Sequence, residues 1–167
     1  MVMELRRLAR HLLSFRSRLS RDFDVATRRA IQEAVAASER KHRGEIRFAV
    51  ESRLDAASVW RGRTARERAH ELFASLGVWD TAENSGILVY VLLADRCVEI
   101  VADRGYTGGV TEDQWRAICH AIEAAYREGR FREGSVEGVH GCARHAARLF
   151  PSEGSDPNEL ADEVVVL

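Results

Sequence analysis

The sequence contains few of the residues that mark chains outside the ordinary globular class. Its 167 residues include only two prolines and three cysteines, which is too few for a collagen-like chain or a disulfide framework. The cysteines, Cys97, Cys119 and Cys142, are widely spaced and form no CxxC pair. We therefore expect reduced, mostly buried thiols and a cytoplasmic protein, with peripheral attachment to the inner membrane left open.

Long hydrophobic runs and an excess of charge are missing as well. The longest apolar run, Ile87 to Ala94, is far shorter than the roughly 20 residues that a transmembrane helix needs. The first residues lack the pattern of a signal peptide, so we expect no leader. The net charge of −1 argues against a general nucleic-acid binder, and we expect no nucleic-acid partner.

Familiar catalytic motifs are absent too: the chain has no GxSxG, no P-loop, no HExxH and no GxGxxG after a strand. The segment HGCARH brings His140, Cys142 and His145 close in sequence. On a helix, residues five apart point in different directions, so this segment favours helix packing over a zinc site. No catalytic residue can be named from the sequence.

The periodicity of apolar residues predicts alternating helices and strands. Helices are expected over 4–19, 23–40, 58–76, 111–128 and 135–150, and strands around Ile46, Phe48 and Val50, over 87–93 and over 97–102. The strand over 87–93 is apolar at every position, as a central strand covered on both faces is. A short turn at Asp95-Arg96 can join only antiparallel neighbours. These elements predict a small α/β domain with helices on both faces of its sheet.

The ends of the chain differ from its middle. Residues 1–21 form a basic amphipathic helix, residues 22–150 the α/β domain, and residues 151–167 an acidic tail that ends in apolar residues and is expected to dock. The basic helix could pack on the domain or a partner, or meet an anionic membrane surface or a membrane-associated protein. The side chains available for the second role are Arg6, Arg7, Arg10, Arg16 and Arg18.

The stretch ENSGILVYVLLADRCVEIVADRGY places polar residues at both ends of a predicted hairpin. Glu83, Asn84, Asp95 and Asp103 are hard oxygen ligands of the kind that calcium or magnesium prefers. The same residue types are also common in ordinary turns. An antiparallel hairpin brings Glu83 and Asn84 next to Asp103, whereas Asp95 lies at the opposite end as a turn former or the ligand of a second site.

A family resemblance is carried by this stretch, by the segment TGGVTEDQW that follows, and by AYREGRFREGSVEGV. Over roughly residues 22–150, the pattern resembles the TPM domain, named for thylakoid-lumen, photosystem II repair and acetylcholine-receptor modulator proteins. The matching positions are Glu83, Asn84, Gly86, Asp95, Arg96, Gly105, Phe131 and Gly134.

The resemblance implies a three-layer α/β/α sandwich with a small mixed sheet that contains an antiparallel hairpin, plus N-terminal helices. It also implies binding of a divalent cation, calcium or magnesium, and a weak phosphatase activity. The implied metal ligands are Glu83, Asn84, Asp103 and Asp95, and the implied phosphate-binding residues are Arg96 and Arg104. Many relatives carry a leader and a membrane-spanning or glycine-rich tail, so this chain is similar to a stand-alone cytoplasmic bacterial variant.

Two functions therefore remain open. In the first, a divalent ion held by Asp95, Asp103 and Glu83 neutralises phosphate oxygens and activates a water, while Arg96 or Arg104 grips the phosphate. In the second, the domain is a non-enzymatic adaptor that docks on a membrane-associated partner. The absence of an identifiable nucleophile or general base favours the second.

Overall fold

The computed structural model describes residues 2–13, 16–152, 154 and 158–167, with side chains in the first two helices described from 6 to 12 and from 19 onward. Its helices are α1 Val2–Leu13, α2 Arg16–Asp22, α3 Val25–Glu39, α4 Ala56–Trp60, α5 Ala65–Ser75, α6 Glu112–Arg127 and α7 Phe131–Leu149. Its strands are β1 Glu45–Glu51, β2 Gly86–Leu92, β3 Cys97–Ala102 and β4 Val165–Val166. One 3₁₀ turn spans Arg104–Tyr106.

The strands form one mixed sheet in the order β3-β2-β1-β4. β1 runs parallel to β2 and to β4. β2 pairs antiparallel with β3, and Ile87 lies opposite Ala102. The predicted antiparallel hairpin is therefore confirmed. The apolar end of the chain is docked as expected, since Val165 pairs with Ala49 at the far edge.

The sheet lies between two apolar layers, which makes the domain the expected three-layer sandwich. Phe48, Val89 and Ile100 point into the layer that α3, α6 and α7 cover. Leu88 and Tyr90 point to the opposite face and pack on α4 and α5. All seven residues of β2 are buried, because a strand covered on both faces exposes neither set of its alternating side chains.

The helix expected over 135–150 begins one turn earlier, at Phe131. Two other expected helices are each divided in the structure. The helix expected over 58–76 is split into α4 and α5, since Gly62 adopts a φ of 74° and Thr64 begins α5 with a capping box to Glu67. A positive φ suits glycine and interrupts a helix, and a capping box starts a new one. The helix expected over 4–19 corresponds to two elements, α1 and α2; residues 14 and 15 lie outside the described residues.

Helix α1 packs on the domain through only part of its apolar surface. His11 is 1% exposed and Leu8 packs against the core, whereas Leu12 is 55% exposed. The helix contacts α4. The side chains of Arg16 and Arg18 lie outside the described part of the chain, so their membrane role stays a prediction.

Side chains cover the outer backbone of β3, which is an edge strand. Glu123 on α6 accepts a hydrogen bond from the Val98 backbone N–H at 3.0 Å. The guanidinium of Arg66 on α5 donates to the Ile100 carbonyl. Capped backbone groups cannot pair with another strand, so this edge is protected against aggregation. Among the described residues, no helix combines the length and the apolar character needed to cross a bilayer.

Replacing Val89 by Asp should lower the free energy of unfolding by about 3 to 5 kcal/mol, because the new carboxylate would be buried without a partner. Val89 is 0% exposed at the centre of β2. The matched control is Val25→Asp, because Val25 is 72% exposed at the start of α3. Chemical denaturation measures both, and equal stabilities for the two variants would contradict the burial of β2.

Candidate functional site

The predicted ligands Glu83, Asn84 and Asp103 meet where β2 begins and β3 ends. We call these three residues the entrance cluster. The Asp103 backbone N–H donates to the Gly86 carbonyl at 2.9 Å, and the Gly105 N–H donates to the Asn84 carbonyl at 3.0 Å. The antiparallel register thus brings two segments that are about 20 positions apart in sequence to one place.

Gly105 allows the two segments to approach this closely. A Cβ atom at this position would lie 2.5 Å from the Asn84 carbonyl oxygen and 3.0 Å from the Glu83 carbonyl oxygen. Asn84 itself has a φ of 55°, a left-handed conformation that asparagine tolerates better than most residues. Two backbone carbonyls and three polar side chains therefore share a small region at this end of the hairpin.

Arginines hold one oxygen of each side chain in the entrance cluster. Arg43 forms an ion pair with Glu83 Oε1 at 2.8 Å. The Nε atom of Arg104 donates to Asn84 Oδ1 at 2.8 Å, and its backbone N–H donates to Asp103 Oδ1 at 2.7 Å. These contacts fix the orientation of the three side chains.

The second carboxylate oxygens of the entrance cluster remain open. Glu83 Oε2 and Asp103 Oδ2 are buried, and neither accepts a hydrogen bond from any described residue. A buried carboxylate oxygen without a donor or cation is costly. Within the described residues, no group of three or more His, Cys, Asp and Glu side chains could hold a metal ion, so a cation here would have to combine the two carboxylates with amide or carbonyl oxygens.

Asp95 and Arg96 lie at the other end of the hairpin. A strand of seven residues is about 20 Å long, and β2 has seven, so Asp95 cannot share an ion with Glu83 and Asp103. The two predicted phosphate-binding residues, Arg96 and Arg104, are separated in the same way. The six predicted site residues thus form two groups, as the hairpin geometry indicated.

Asp95 is fully engaged by helix α1. Arg7 donates to Asp95 Oδ2 from Nη2 at 2.7 Å and from Nε at 3.0 Å. His11 Nδ1 accepts the Leu54 backbone N–H, which places the ring hydrogen on Nε2, and Nε2 lies 3.1 Å from Asp95 Oδ1. Arg10 approaches to 3.6 Å. Arg7, one of the arginines predicted to meet a membrane surface, therefore points into the protein and binds Asp95 instead.

This network sets the ionisation of Asp95. Burial acts to raise the pKa of the Asp95 carboxyl, but the hydrogen bonds from His11 and Arg7 and the charge of Arg7 outweigh it and lower the pKa well below its usual range. The carboxylate is therefore charged at every physiological pH. Asp95 anchors α1 to the hairpin turn.

A second carboxylate cluster was not predicted from the sequence. Glu45, 3% exposed at the start of β1, accepts hydrogen bonds from the backbone N–H groups of Glu159 and Leu160 at 3.0 and 3.1 Å. Burial raises the pKa of the neighbouring Glu39 to about 8, helped by the charges of Glu45 and Asp162. These residues hold the tail against the domain. Their partners are more than 100 positions apart in sequence, so no local pattern signals the contact.

Two of the three residues singled out in HGCARH, Cys142 and His145, take packing roles, whereas His140 is exposed. Cys142 is completely buried in the core, and the His145 ring lies against Trp115 with ring centroids 5.1 Å apart. The three cysteines are free thiols.

The fold and the entrance cluster define an α/β/α sandwich with polar residues at the open end of an antiparallel hairpin. The TPM domain matches residues 20–145, so the chain belongs to the TPM domain family. The BA42 protein from the psychrophilic bacterium Bizionia argentinensis, known from an NMR structure, is similar to it at 28% identity, with a TM-score of 0.71 over 85% of this chain and 93% of that one. No curated protein matches the chain.

Replacing Asp95 by Asn should lower the free energy of unfolding at neutral pH by about 2 to 3 kcal/mol, since hydrogen bonds to a charged partner are lost. The folded-state pKa of Asp95 is lowered, so its contribution is complete above the unfolded value of about 4 and disappears as the pH falls below it. The difference between variant and wild type should therefore shrink between pH 5 and pH 2.

Denaturation curves at several pH values measure this difference. Asp113→Asn is the control, because the Asp113 side chain is 88% exposed. A difference for Asp95→Asn that stays constant down to about pH 2 would show that the charge does not stabilise the fold.

Replacing Glu39 by Gln should stabilise the protein progressively as the pH rises from about 5 to 8. The pKa of Glu39 is raised to about 8 in the folded state, so the folded wild type binds a proton that the unfolded chain has released, and its stability falls across this window. Each unit by which the folded-state pKa differs from the unfolded-state pKa changes the free energy of unfolding by about 1.4 kcal/mol. Gln keeps an acceptor for the Ile46 backbone N–H without the charge.

The comparison is again made by denaturation, at pH 4 and at pH 8. Glu33→Gln on the same helix is the control, because the Glu33 side chain is 64% exposed. If both variants followed the same pH dependence, Glu39 would not carry the raised pKa.

Proposed function

We propose that this TPM domain binds a divalent cation weakly at the entrance cluster and acts there as a weak phosphatase. The observation that supports it most is the pair of open, buried oxygens, Glu83 Oε2 and Asp103 Oδ2. Both are carboxylate oxygens, the kind of hard ligand atom that calcium and magnesium prefer. Asp95, predicted as a further ligand, is left out because Arg7 and His11 already engage it.

The affinity should be low. Two carboxylates are few for a calcium site, and Arg43 and Arg104 already use one oxygen of each neighbouring side chain. Two nearby guanidinium groups also repel a cation. We therefore propose a dissociation constant of about 10⁻⁴ to 10⁻³ M, the range of weak calcium modules.

The arginines that repel a cation attract a phosphate. Arg104 is exposed beside the cluster, and Nε is its only guanidinium atom with a described hydrogen bond, so the rest of its planar guanidinium can bind phosphate oxygens. A bound divalent ion would supply charge neutralisation and a more acidic water. The side chains of Glu83 and Asp103 orient that site, and Arg104 holds the substrate.

The alternative is a non-enzymatic adaptor. Among the described residues around the cluster, no nucleophile paired with a general base is recognisable, which supports this alternative. It is also supported by Trp60, which is 72% exposed on α4 next to the basic helix α1. In that case the exposed Arg6 and Arg10 and the ring of Trp60 meet a membrane-associated partner or an anionic membrane surface. For both functions we propose a cytoplasmic location, in keeping with three free thiols.

Calcium titration of the ¹⁵N-labelled protein tests cation binding. Backbone amide signals of residues 83–86 and 103–105 should shift with millimolar calcium. Asp103→Asn should abolish the shifts while it keeps an acceptor for the Arg104 N–H, and Asp113→Asn should leave them unchanged. Shifts confined to 95 and 96, or none at about 10 mM calcium, would overturn the placement.

Hydrolysis of p-nitrophenyl phosphate tests the catalytic part. We expect slow turnover that needs added calcium or magnesium and disappears with chelator and in Asp103→Asn. If the calcium shifts occur but turnover equals that of the metal ion alone, the phosphatase proposal is wrong and the adaptor remains.

A further inference from the structure

A cavity of about 350 Å³ lies at the turn end of the hairpin, away from the entrance cluster. We call it the turn cavity. It is lined by the last residues of α2, the β2-β3 turn, the end of α6 and the start of α7. Its size is at the lower end of the range for small-molecule pockets, which is roughly 300 to 1,000 Å³.

Three arginines surround the turn cavity: Arg21, Arg96 and Arg127. Arg96 and Arg127 are exposed, and neither side chain forms a hydrogen bond or an ion pair with any residue that the structure describes. Arg21 is paired with Asp22 at 2.8 Å. Two guanidinium groups are therefore available to an anion.

Two carboxylates also line the turn cavity. Asp22 is paired with Arg21, whereas Glu123 accepts the neutral Val98 backbone N–H at 3.0 Å and keeps its negative charge. Three arginines against two carboxylates leave the lining with a net positive charge.

The backbone at Arg96 supports a role for its side chain. Arg96 has a φ of 53°, in the left-handed region where glycine or asparagine is favoured and a long side chain costs free energy. Strained residues of this kind cluster at functional sites. A turn selected only for its shape would be better served by glycine.

One side of the turn cavity is apolar. The rings of Tyr126 and Phe131 stack with centroids 4.8 Å apart, and Leu93 lies beside them. The Tyr126 hydroxyl is engaged with Ser135 Oγ at 2.6 Å, so the polar tip of this residue is already satisfied. An apolar side next to a basic rim fits a ligand that has an apolar part and an anionic part.

We propose that the turn cavity binds a small organic anion, with a phosphate or similar anionic group between Arg96 and Arg127 and an aromatic or short apolar body against Tyr126 and Phe131. The body strengthens binding through apolar burial, and the guanidinium groups select the charge. This site is independent of the entrance cluster and needs no metal ion.

Phenyl phosphate, added with chelator to the ¹⁵N-labelled protein, is the probe. Amide signals of residues 93–97 and 126–131 should shift, with a dissociation constant of about 1 mM. Arg96→Gly should weaken binding about tenfold or more without lowering the melting temperature, because glycine suits the φ of 53°. Arg116→Ala on α6, the same helix as Arg127, is the control and should bind as the wild type does.

Inorganic phosphate and benzyl alcohol should each bind more weakly than phenyl phosphate, since each lacks one half of the ligand. If either compound bound as tightly as phenyl phosphate, the proposal that the ligand has both an anionic and an apolar part would be wrong. Shifts confined to 83–86 and 103–107, or full binding by Arg96→Gly, would overturn the placement. Binding to phosphatidylglycerol vesicles without any binding of phenyl phosphate would show a lipid surface instead and also overturn it.

Discussion

The burial of β2 on both faces is the constraint on which the rest of the structure depends. No position of β2 reaches solvent, so helices must cover both sides of the sheet and β2 must have a strand on each side. β1 and β3 provide those neighbours. Because the strand is rigid and about 20 Å long, it also sets the distance between the polar groups at its two ends. The architecture and the separation of the two sites thus have one cause.

Satisfied and unsatisfied carboxylates distinguish structural from candidate functional residues along this hairpin. Asp95 looks like a ligand in the sequence, yet guanidinium and imidazole donors surround it, and its role is to anchor α1. Glu83 and Asp103 each keep one buried oxygen without a described donor. Such an oxygen lowers stability unless something binds it, and it is where a cation would be stabilised most.

The sequence predicts what local patterns encode. The apolar run of β2, the turn at Asp95 and the start of α6 at Thr111 follow from periodicity and capping, and the grouping of Glu83 with Asp103 follows from antiparallel geometry. Contacts between distant segments could not be predicted this way. Asp95 with Arg7 is one example, and Glu45 with the backbone of Glu159 is another. Both depend on where terminal segments dock, and neither has a periodic signal.

The docked tail links the acidic cluster to the entrance cluster. Glu159 accepts a hydrogen bond from the Ala82 backbone N–H at 3.0 Å, directly before Glu83. The backbone N–H of the same Glu159 donates to Glu45. Glu45 lies beside Glu39, whose pKa is raised to about 8. Burial and the charges of Glu45 and Asp162 disfavour ionisation of Glu39. Because Glu159 contacts both Glu45 and the residue directly before Glu83, the docked tail joins the two clusters.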